Sequence, residues 1–304
     1  MDFSGLLIKM IIFMVLLILG YWAARKNYLG KEFARSASWL LVNVFLTASI
    51  FSSVTGARPD LPPKELWFAF FVFVLLFVLL YACATFVARF DAKETAPQTV
   101  LLLATVNTLF VGIPVVQVLC GSEAVFYLGL SCIPFNVILY TYGIWLLKKG
   151  HGEKGVRWKD MLTAPLVAAV ISLLIFVFNI RLPRVVTELF STVSGGTVPV
   201  SMLVIGATLG SVSLKDAFCN KKLYLLSLIR LIVMPVAVYF LFRLFVSNQV
   251  VLLCTVVIAA CPAATLCTPV SMQCGYDPRY TSEGIMLTTA LSMITLPVLL
   301  VVFF

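Results

Sequence analysis

The chain has 304 residues, of which 62% are hydrophobic and only 12% are charged. This balance excludes a water-soluble globular domain, because too few polar residues remain to cover its surface. The net charge of +9 does not indicate nucleic-acid binding, since the basic residues are scattered over short connections and form no single face with interleaved aromatics. We therefore expect an all-α integral membrane protein, because long unbroken apolar runs favour helices over barrel strands.

Hydropathy, together with the positions of Pro, Gly and charged residues, predicts ten membrane-spanning helices. They cover residues 5–24, 36–54, 65–89, 98–119, 123–147, 161–179, 191–211, 222–246, 250–273 and 280–303. The longest polar connection, Lys148 to Asp160, divides these spans into two groups of five. We therefore divide the chain into residues 1–150, a connecting loop 151–160 and residues 161–304.

Basic residues are divided unequally between the two sides of this topology. The loops after the odd-numbered spans contain fifteen Lys and Arg residues, whereas the opposite loops contain five. Because basic residues in short loops stay in the cytoplasm, we expect a multi-pass cell-membrane protein with both termini outside and the loop 151–160 inside. The positive cluster Arg25 and Lys26 follows the first span, which favours a retained helix over a cleaved signal peptide.

The two halves carry a weak internal similarity. An odd number of helices in each half inserts the second half upside down, so a duplication gives an inverted repeat. Gln98–Ala124 can be aligned with Gln249–Pro278, although the two segments differ by three residues in length. Both begin with Gln and an aliphatic run, contain Pro near the middle and end in Cys-Gly followed by an acidic residue.

Spans four and nine are expected to be broken helices. Span four contains Gly112 and Pro114, and span nine contains Pro262 and Pro269. Proline removes a backbone donor, and lipid cannot satisfy the freed groups, so such breaks face protein or a wet cavity. A pair of breaks at equivalent positions of an inverted repeat is typical of a transport site near the membrane midplane. The alternative is that each proline is only a packing kink, which is common in membrane helices.

The helix ends at these breaks predict the charge of a ligand. An interrupted helix exposes an N-terminus whose free amides carry about half a positive charge and attract an anion. Two inverted breaks that cross near the midplane would direct two such ends at one place. We therefore expect an anionic substrate rather than a cation or a neutral solute.

Five segments carry a family resemblance. They are NVFLTASIFSSV (Asn43–Val54), VNTLFVGIP (Val106–Pro114), FNVILYTYG (Phe135–Gly143), GGTVPVSMLVIGATLG (Gly195–Gly210) and CPAATLCTPVSMQCGYD (Cys261–Asp277). In this order they resemble the auxin efflux carrier family, which includes PIN-like transporters and bacterial organic-acid permeases. The resemblance extends over almost the whole chain.

The resemblance implies an architecture. It implies ten helices in an inverted five-plus-five repeat, with spans four and nine crossed. It further implies a scaffold of spans one, two, six and seven that commonly pairs into a homodimer, and elevator-type movement of a bundle made by spans three to five and eight to ten.

The sequence departs from the family pattern at two places. Val106 and Leu109 flank Asn107 and Thr108, where family members often carry glycine. Leu266 stands where an asparagine is often found after Ala-Ala-Thr. These departures affect substrate identity and any coupling-ion site, because lost side-chain oxygens change what can be coordinated.

The candidate substrate-binding residues lie at the breaks and on neighbouring spans. They are Asn43, Asn107, Thr108, Gly112, Pro114, Asn136, Pro262, Ala263 and Thr265. Asn107 lies in an apolar run where an unpaired amide is costly, so it either bonds a neighbouring helix or lines the pocket; its position and the resemblance favour the pocket. Asn136 has the same two alternatives. Asn43, with Thr47 and Ser49, either faces the crossing or serves close packing.

Three charged residues lie within or near the spans. A charge at bilayer depth is costly unless its side chain reaches the interface or pairs. Lys9 is near the outer end of span one and can reach the interface. Glu283 lies in the first turn of span ten, where it can cap that helix. Arg230 lies about two turns into span eight and can pair with Glu283 or attract the anion from the cytoplasm.

The leading functional hypothesis is a secondary carrier of small organic anions, such as mono- or dicarboxylates or indole-type acids, a range that the resemblance implies. No carboxylate is plainly at the midplane, so proton coupling, sodium coupling and uniport are alternatives. A second hypothesis is a sodium-coupled symporter resembling the bile-acid carriers, which also cross two broken helices.

A third hypothesis, an intramembrane lipid-modifying enzyme, is weaker. Such enzymes usually show acidic pairs or His with Glu near a membrane face, and the single histidine, His151, lies in the polar central loop. The eight cysteines lack metal-type spacing, so we expect no metal or cofactor.

Overall fold

The computed structural model describes residues 3–29, 31–55, 63–149, 164–178, 180–210 and 220–304. The regular secondary structure of these segments is helical, which confirms the all-α class. The helices are α1 (Phe3–Arg25), α2 (Lys31–Leu40), α3 (Thr47–Thr55), α4 (Pro63–Ala88), α5 (Ala96–Ala104), α6 (Ile113–Ile138), α7 (Ile144–Lys149), α8 (Ala164–Val177), α9 (Arg184–Ser194), α10 (Thr197–Gly210), α11 (Lys221–Leu228), α12 (Met234–Arg243), α13 (Gln249–Ala260), α14 (Cys267–Gln273) and α15 (Pro278–Phe303). The predicted loop 151–160 and the side chain of Lys9 lie outside the described residues.

Several helical segments are long and apolar enough to cross a membrane. In the described part of the chain they are Lys64–Ala88, Thr108–Lys149, Arg184–Ala207, Lys221–Arg243 and Arg279–Phe303. Shorter apolar helices are Met14–Arg25, Ser36–Ser52, Ala164–Ile175 and Gln249–Ala260. The shorter helices coincide with predicted spans one, two and six and with the first part of span nine.

The segment Thr108–Lys149 is interrupted at Gly121. This glycine has φ 70° and ψ −148°, a backbone region that only glycine enters readily. It lies between predicted spans four and five, so the 42-residue segment contains the second part of span four and the whole of span five.

Helices α1 and α10 pack with their backbones in close approach. A Cβ atom added at Gly206 would lie 2.1 Å from the carbonyl oxygen of Leu17, and one at Gly20 would lie 2.4 Å from that of Leu203. Membrane helices have no hydrophobic drive to associate within lipid, so small residues that permit such contact stabilise their packing. This pair joins predicted spans one and seven.

Polar side chains join α3 to its neighbours α10 and α8. The hydroxyls of Ser49 on α3 and Thr197 on α10 are 2.6 Å apart, and Thr197 also donates to the carbonyl of Phe45. Ser172 on α8 donates to the carbonyl of Ile50 at 3.4 Å. Of the two interpretations of Ser49, close packing is the one that its contacts support.

Span four is broken earlier than the sequence predicts. Helix α5 ends at Ala104, Thr105 is extended (ψ 132°) and the chain becomes helical again at Thr108. The prediction that Gly112 and Pro114 form the break is wrong. Pro114 lies at the change from the π-helical turn to α6, where the altered hydrogen-bond register accommodates a missing backbone donor.

Span nine is broken at Pro262. Helix α13 ends at Ala260, Cys261 is extended (ψ 147°) and α14 begins at Cys267. Pro262 therefore lies inside the break, as predicted. Pro269 instead falls in the first turn of α14, where proline does not remove an intrahelical hydrogen bond.

Four π-helical turns interrupt the helices of the described segments. They are Leu41–Leu46, Thr108–Gly112, Leu139–Gly143 and Ile229–Val233. Single π turns are rare in proteins overall, and many of those that occur lie at functional sites. These turns contain Asn43, Thr108, Tyr140 and Arg230.

Candidate functional site

The two broken spans contact each other at their breaks. Val106 and Ala263 form an isolated antiparallel bridge. The amide of Asn107 donates to the carbonyl of Pro262 at 2.9 Å, and the amide of Ala264 donates to that of Thr105 at 3.3 Å. Backbone groups that lipid could not satisfy therefore find partners in the opposite break.

Side chains satisfy further groups beside this crossing. The hydroxyl of Thr288 on α15 accepts a hydrogen bond from the amide of Ala263 at 3.3 Å and donates to the carbonyl of Gly284 at 2.8 Å. The hydroxyl of Thr105 donates to the carbonyl of Leu101 at 2.7 Å and lies 2.6 Å from the thiol of Cys267. The crossing is thus a hydrogen-bonded unit that joins spans four, nine and ten.

Arg230 binds the C-terminal ends of α5 and α13, the helices that precede the two breaks. Its side chain is fully buried, and its two terminal nitrogens donate at 2.9 Å to the carbonyls of Leu103, at the end of α5, and Cys261, directly after α13. The expectation that Arg230 pairs with Glu283 is wrong: neither residue belongs to an ion pair in the described part of the chain. A guanidinium can bridge two backbone carbonyls because its donors form a rigid fork.

Glu283 does not cap the last helix either. The N-cap of α15 is Asp277, whose carboxylate accepts a hydrogen bond from the amide of Arg279 at 2.8 Å. Glu283 lies one turn further into α15 and is half-buried. The sequence suggested Glu283 because its charge is in the first turn, but α15 begins with the residues that follow Asp277.

A cavity of about 410 Å³ adjoins the crossing. It is lined by Ser38, Trp39, Val42, Asn43, Val106, Asn107, Thr108, Leu109, Phe110, Ser131, Cys132, Phe135, Asn136, Tyr140, Pro165, Ala264, Thr265 and Leu266. These described lining residues include no charged side chain. The cavity is therefore an uncharged, partly aromatic chamber with a few polar groups, a composition typical of small-molecule sites.

Two polar groups of this cavity are buried without a protein partner. The side-chain oxygen of Asn107 accepts a hydrogen bond from the amide of Phe110 at 3.3 Å, whereas its amide nitrogen has no partner. The hydroxyl of Thr108 is likewise without a partner. Both residues are nearly inaccessible, at 4% and 6% exposure. Buried polar groups are normally satisfied, so these two are candidates for contact with a polar ligand.

Comparison with known proteins gives the family of the chain. A family model described as "Membrane transport protein" matches residues 6–300. The chain belongs to the auxin efflux carrier family. The family makes it a multi-pass membrane transport protein, in agreement with its apolar helices.

The similar curated relatives of this auxin efflux carrier family member are uncharacterised transporters. One from Methanothermobacter thermautotrophicus is 27% identical over 98% of this chain and 98% of its own. MJ1031 from Methanocaldococcus jannaschii is 23% identical over 94% of this chain and 95% of its own. YfdV from Escherichia coli K12 is 23% identical over 73% of this chain and 74% of its own.

Five of the nine candidate residues line the cavity of this carrier-family protein. They are Asn43, Asn107, Thr108, Asn136 and Thr265. The amides of Asn43 and Asn136 each donate to a carbonyl four residues earlier, those of Trp39 and Cys132. Their side-chain nitrogens are thus used within their own helices, while the residues still border the cavity.

The other four candidates do not line the cavity. Pro262 and Ala263 form the crossing itself through their backbone groups. Gly112 is buried behind the cavity, where an added Cβ would lie 3.2 Å from Leu128 and 3.3 Å from the thiol of Cys261. Pro114 is buried in the first turn of α6. These residues shape the backbone and the packing of the site.

The sequence interpretation missed the aromatic wall of the cavity. Trp39, Phe110, Phe135 and Tyr140 all border it, and no spacing distinguishes them from aromatic residues that face lipid. The family departures Val106, Leu109 and Leu266 also line the cavity. They make its surface more apolar at the places where the breaks approach each other.

Proposed function

We propose that this transporter is a secondary carrier that binds a small organic anion in the cavity beside the crossing. The observation that carries the proposal is the pair of buried, unpartnered polar groups on Asn107 and Thr108 at the edge of a cavity of about 410 Å³. The mixed aromatic and polar lining fits mono- or dicarboxylates or indole-type acids, whose bodies are apolar and whose charge is confined to one or two groups.

Helix-end geometry supports a negative ligand. In the helix that begins at Thr108, the amide of Phe110 donates to the Asn107 side chain and that of Val111 to the Asn107 carbonyl. The amides of Thr108 and Leu109 have no intrahelical acceptor, as at every helix start. Such amides attract anions.

The position of the cavity supports the elevator mechanism that we propose. Its walls come from both groups of spans: Ser38, Trp39, Val42, Asn43 and Pro165 belong to the scaffold group, and the other lining residues to the bundle group. A site between two bodies can be exposed to either side when one body moves against the other. We also propose that residues 1–150 and 161–304 are the two inverted halves and that the loop 151–160 is cytoplasmic. The scaffold spans would form the contact between the two copies of a homodimer.

Ligand-dependent stability tests this function. Purified protein is heated with a panel of mono- and dicarboxylates and indole-type acids, each beside its uncharged primary amide. We expect at least one acid to raise the melting temperature while its amide does not, because only the acid carries the charge. Equal stabilisation by acid and amide, or none by any acid, would contradict the anion proposal.

Thr108→Val tests the place of binding. The hydroxyl has no protein partner, so its removal should leave the unliganded protein as stable as before or slightly more so. Binding of the stabilising acid should weaken about threefold to tenfold, the equivalent of one hydrogen bond. The control is Thr295→Val, which removes another unpartnered buried hydroxyl outside the cavity lining and should not change binding. Equal binding by both variants would move the site elsewhere.

A further inference from the structure

Arg230 is a fully buried cation in the described part of the chain. It lies in the π-helical turn Ile229–Val233 between α11 and α12, is 0% exposed and has no carboxylate partner among the described residues. Its two hydrogen bonds go to carbonyls from two different halves of the chain, Leu103 and Cys261. A buried, permanently charged side chain is costly in a membrane protein, so its partners must compensate for its burial.

The partners of Arg230 are negative helix ends. Leu103 is the penultimate residue of α5, and Cys261 directly follows α13. Each helix C-terminus carries about half a negative charge, so the two together offset much of the guanidinium charge, while the Nε of Arg230 has no hydrogen-bond partner in the segments that the structure describes. The compensation for this buried cation therefore comes from backbone dipoles rather than from acidic side chains.

In carriers with crossed broken helices, the same kind of place serves another cation. Unwound carbonyls and the C-terminal ends of half-helices are the groups that coordinate a coupling Na⁺ or proton in such folds. Here those carbonyls are directed at guanidinium N–H groups at 2.9 Å. A sodium ion would compete with Arg230 for the same oxygens.

We propose that Arg230 is a built-in cation that replaces the coupling ion at the crossing. It is a positioning residue: it lies outside the cavity lining, and it holds the two breaks together so that Asn107 and Thr108 face the ligand. Anion binding consequently requires no added Na⁺, and a need for a free cation arises only when Arg230 is removed. This inference rests on the proposed anion site and names how that site is held.

The wild-type protein provides the first test. Melting temperature and acid binding are measured in sodium chloride, potassium chloride and choline chloride at equal ionic strength. We expect the same values in the three salts. Binding of the acid that appears only with Na⁺, or stabilisation specific to Na⁺, overturns the role of Arg230 while leaving the anion carrier intact. Absence of acid binding in every salt contradicts the proposed function instead.

Replacement of Arg230 provides the second test. Arg230→Ala leaves the two carbonyls without donors, and we expect acid binding to fall at least about tenfold, with recovery when free guanidinium is added at millimolar concentration. Ammonium, at a concentration that does not affect wild-type melting, lacks the planar fork of donors and should restore less binding. Arg230→Lys keeps the charge and should retain more binding than Arg230→Met, which has similar volume and none.

The outcomes separate a charge requirement from simple loss of packing. Recovery by guanidinium, or a folded Arg230→Lys beside an unfolded Arg230→Met, supports the built-in cation. Arg230→Met that folds and binds the acid as the wild type does, without added cation, overturns it. If Arg230→Lys fails to fold, as Arg230→Ala and Arg230→Met do, a positive charge at this position is not sufficient. That result overturns the proposal that the site requires a built-in cation.

Discussion

Thr288 links span ten to the crossing through a single hydroxyl. It is 4% exposed, accepts from the buried amide of Ala263 and donates to the carbonyl of Gly284. Thr295 lies on the same helix α15, and its hydroxyl is buried without a partner. The two residues form a natural pair for comparing a used hydroxyl with an unused one.

We expect Thr288→Val to lower the free energy of unfolding by about 1–3 kcal/mol, because it leaves the amide of Ala263 buried and unsatisfied. Thr295→Val should be neutral or slightly stabilising, since no hydrogen bond is lost. Thermal unfolding followed by intrinsic fluorescence measures both. Equal destabilisation by the two variants would show that the Thr288 hydrogen bond does not support the crossing.

Residue identity predicted some of the residues at the site, but not the groups to which they form hydrogen bonds. The charge of Arg230 and the amide of Asn107 were visible because each is costly in an apolar run. The carbonyls that Arg230 binds were not predictable, since every residue has a backbone carbonyl and only the fold leaves particular ones unpaired. Trp39 and Tyr140 were missed because aromatic residues also face lipid at many positions.

At the scale of elements, glycines let the backbones of α1 and α10 approach each other closely. Gly206→Ala would place a Cβ 2.1 Å from the carbonyl oxygen of Leu17, and backbone cannot move aside as a flexible side chain can. We expect a loss of at least about 1–3 kcal/mol in unfolding free energy, the usual cost of overpacking.

Gly195→Ala is the matched control for that substitution. Gly195 has helical φ and ψ of −58° and −26°, and an added Cβ there would meet only the carbonyls of its own preceding turn, at 3.3 Å or more. Its unfolding should therefore be unchanged or slightly improved. A Gly206→Ala variant that melts with the wild type would mean that α1 and α10 can separate without cost.

The breaks show which helix interruptions can be predicted from proline and glycine. Proline and glycine predicted that spans four and nine are interrupted, and Pro262 marked the second break correctly. The first break falls instead at Thr105–Asn107, where no helix-breaking residue stands, because pairing with Pro262 and Ala264 outweighs local helix propensity. The π-helical turns were also unpredictable, since no residue type marks a one-residue change in hydrogen-bond register.

At the scale of the whole molecule, Asp91 joins distant parts of the chain at one end of the bundle. Its carboxylate, on a side chain that is 6% exposed, accepts hydrogen bonds from Lys222, Thr95 and Thr99. The hydroxyl of Thr99 lies 2.9 Å from that of Tyr280. This cluster links the connection after α4 to the starts of α11 and α15.

Acid should weaken this cluster. Burial raises the pKa of the Asp91 carboxyl, but hydrogen bonds from Lys222, Thr99 and Thr95 lower it more, so the pKa lies below the usual aspartate value of about 3.9. A depressed pKa stabilises the fold above that usual value, and the stabilisation is lost as the pH falls through the folded-state pKa.

We therefore expect Asp91→Asn to melt earlier than the wild type at pH 7 and to lose less stability on acidification below about pH 4. Melting temperatures over a pH series measure this difference. Glu94→Gln, an exposed neighbour, is the control and should follow the wild-type profile. Parallel pH profiles for Asp91→Asn and the wild type would exclude Asp91 as the acid-sensitive group.

The helix ends of the described residues agree with the predicted span ends where polarity changes sharply and less well elsewhere. Span seven was expected to begin at residue 191, but its helical segment begins at Arg184, directly after Pro183. The polar residues Arg184 and Glu188 resemble a loop in a hydropathy profile, although they form an ion pair one helical turn apart. Hydropathy detects the apolar part of a helix and not its polar first turns.

The guanidinium of Arg230 has a consequence for electrical behaviour. Span eight belongs to the proposed moving bundle, so this charge would travel with the crossing. A monovalent anion would then cancel the charge of Arg230 as the loaded bundle crosses the field, whereas in the empty bundle the charge of Arg230 would gain about 2.3 kcal/mol per 100 mV. A negative cell interior would accordingly favour the inward-facing position of the unoccupied carrier.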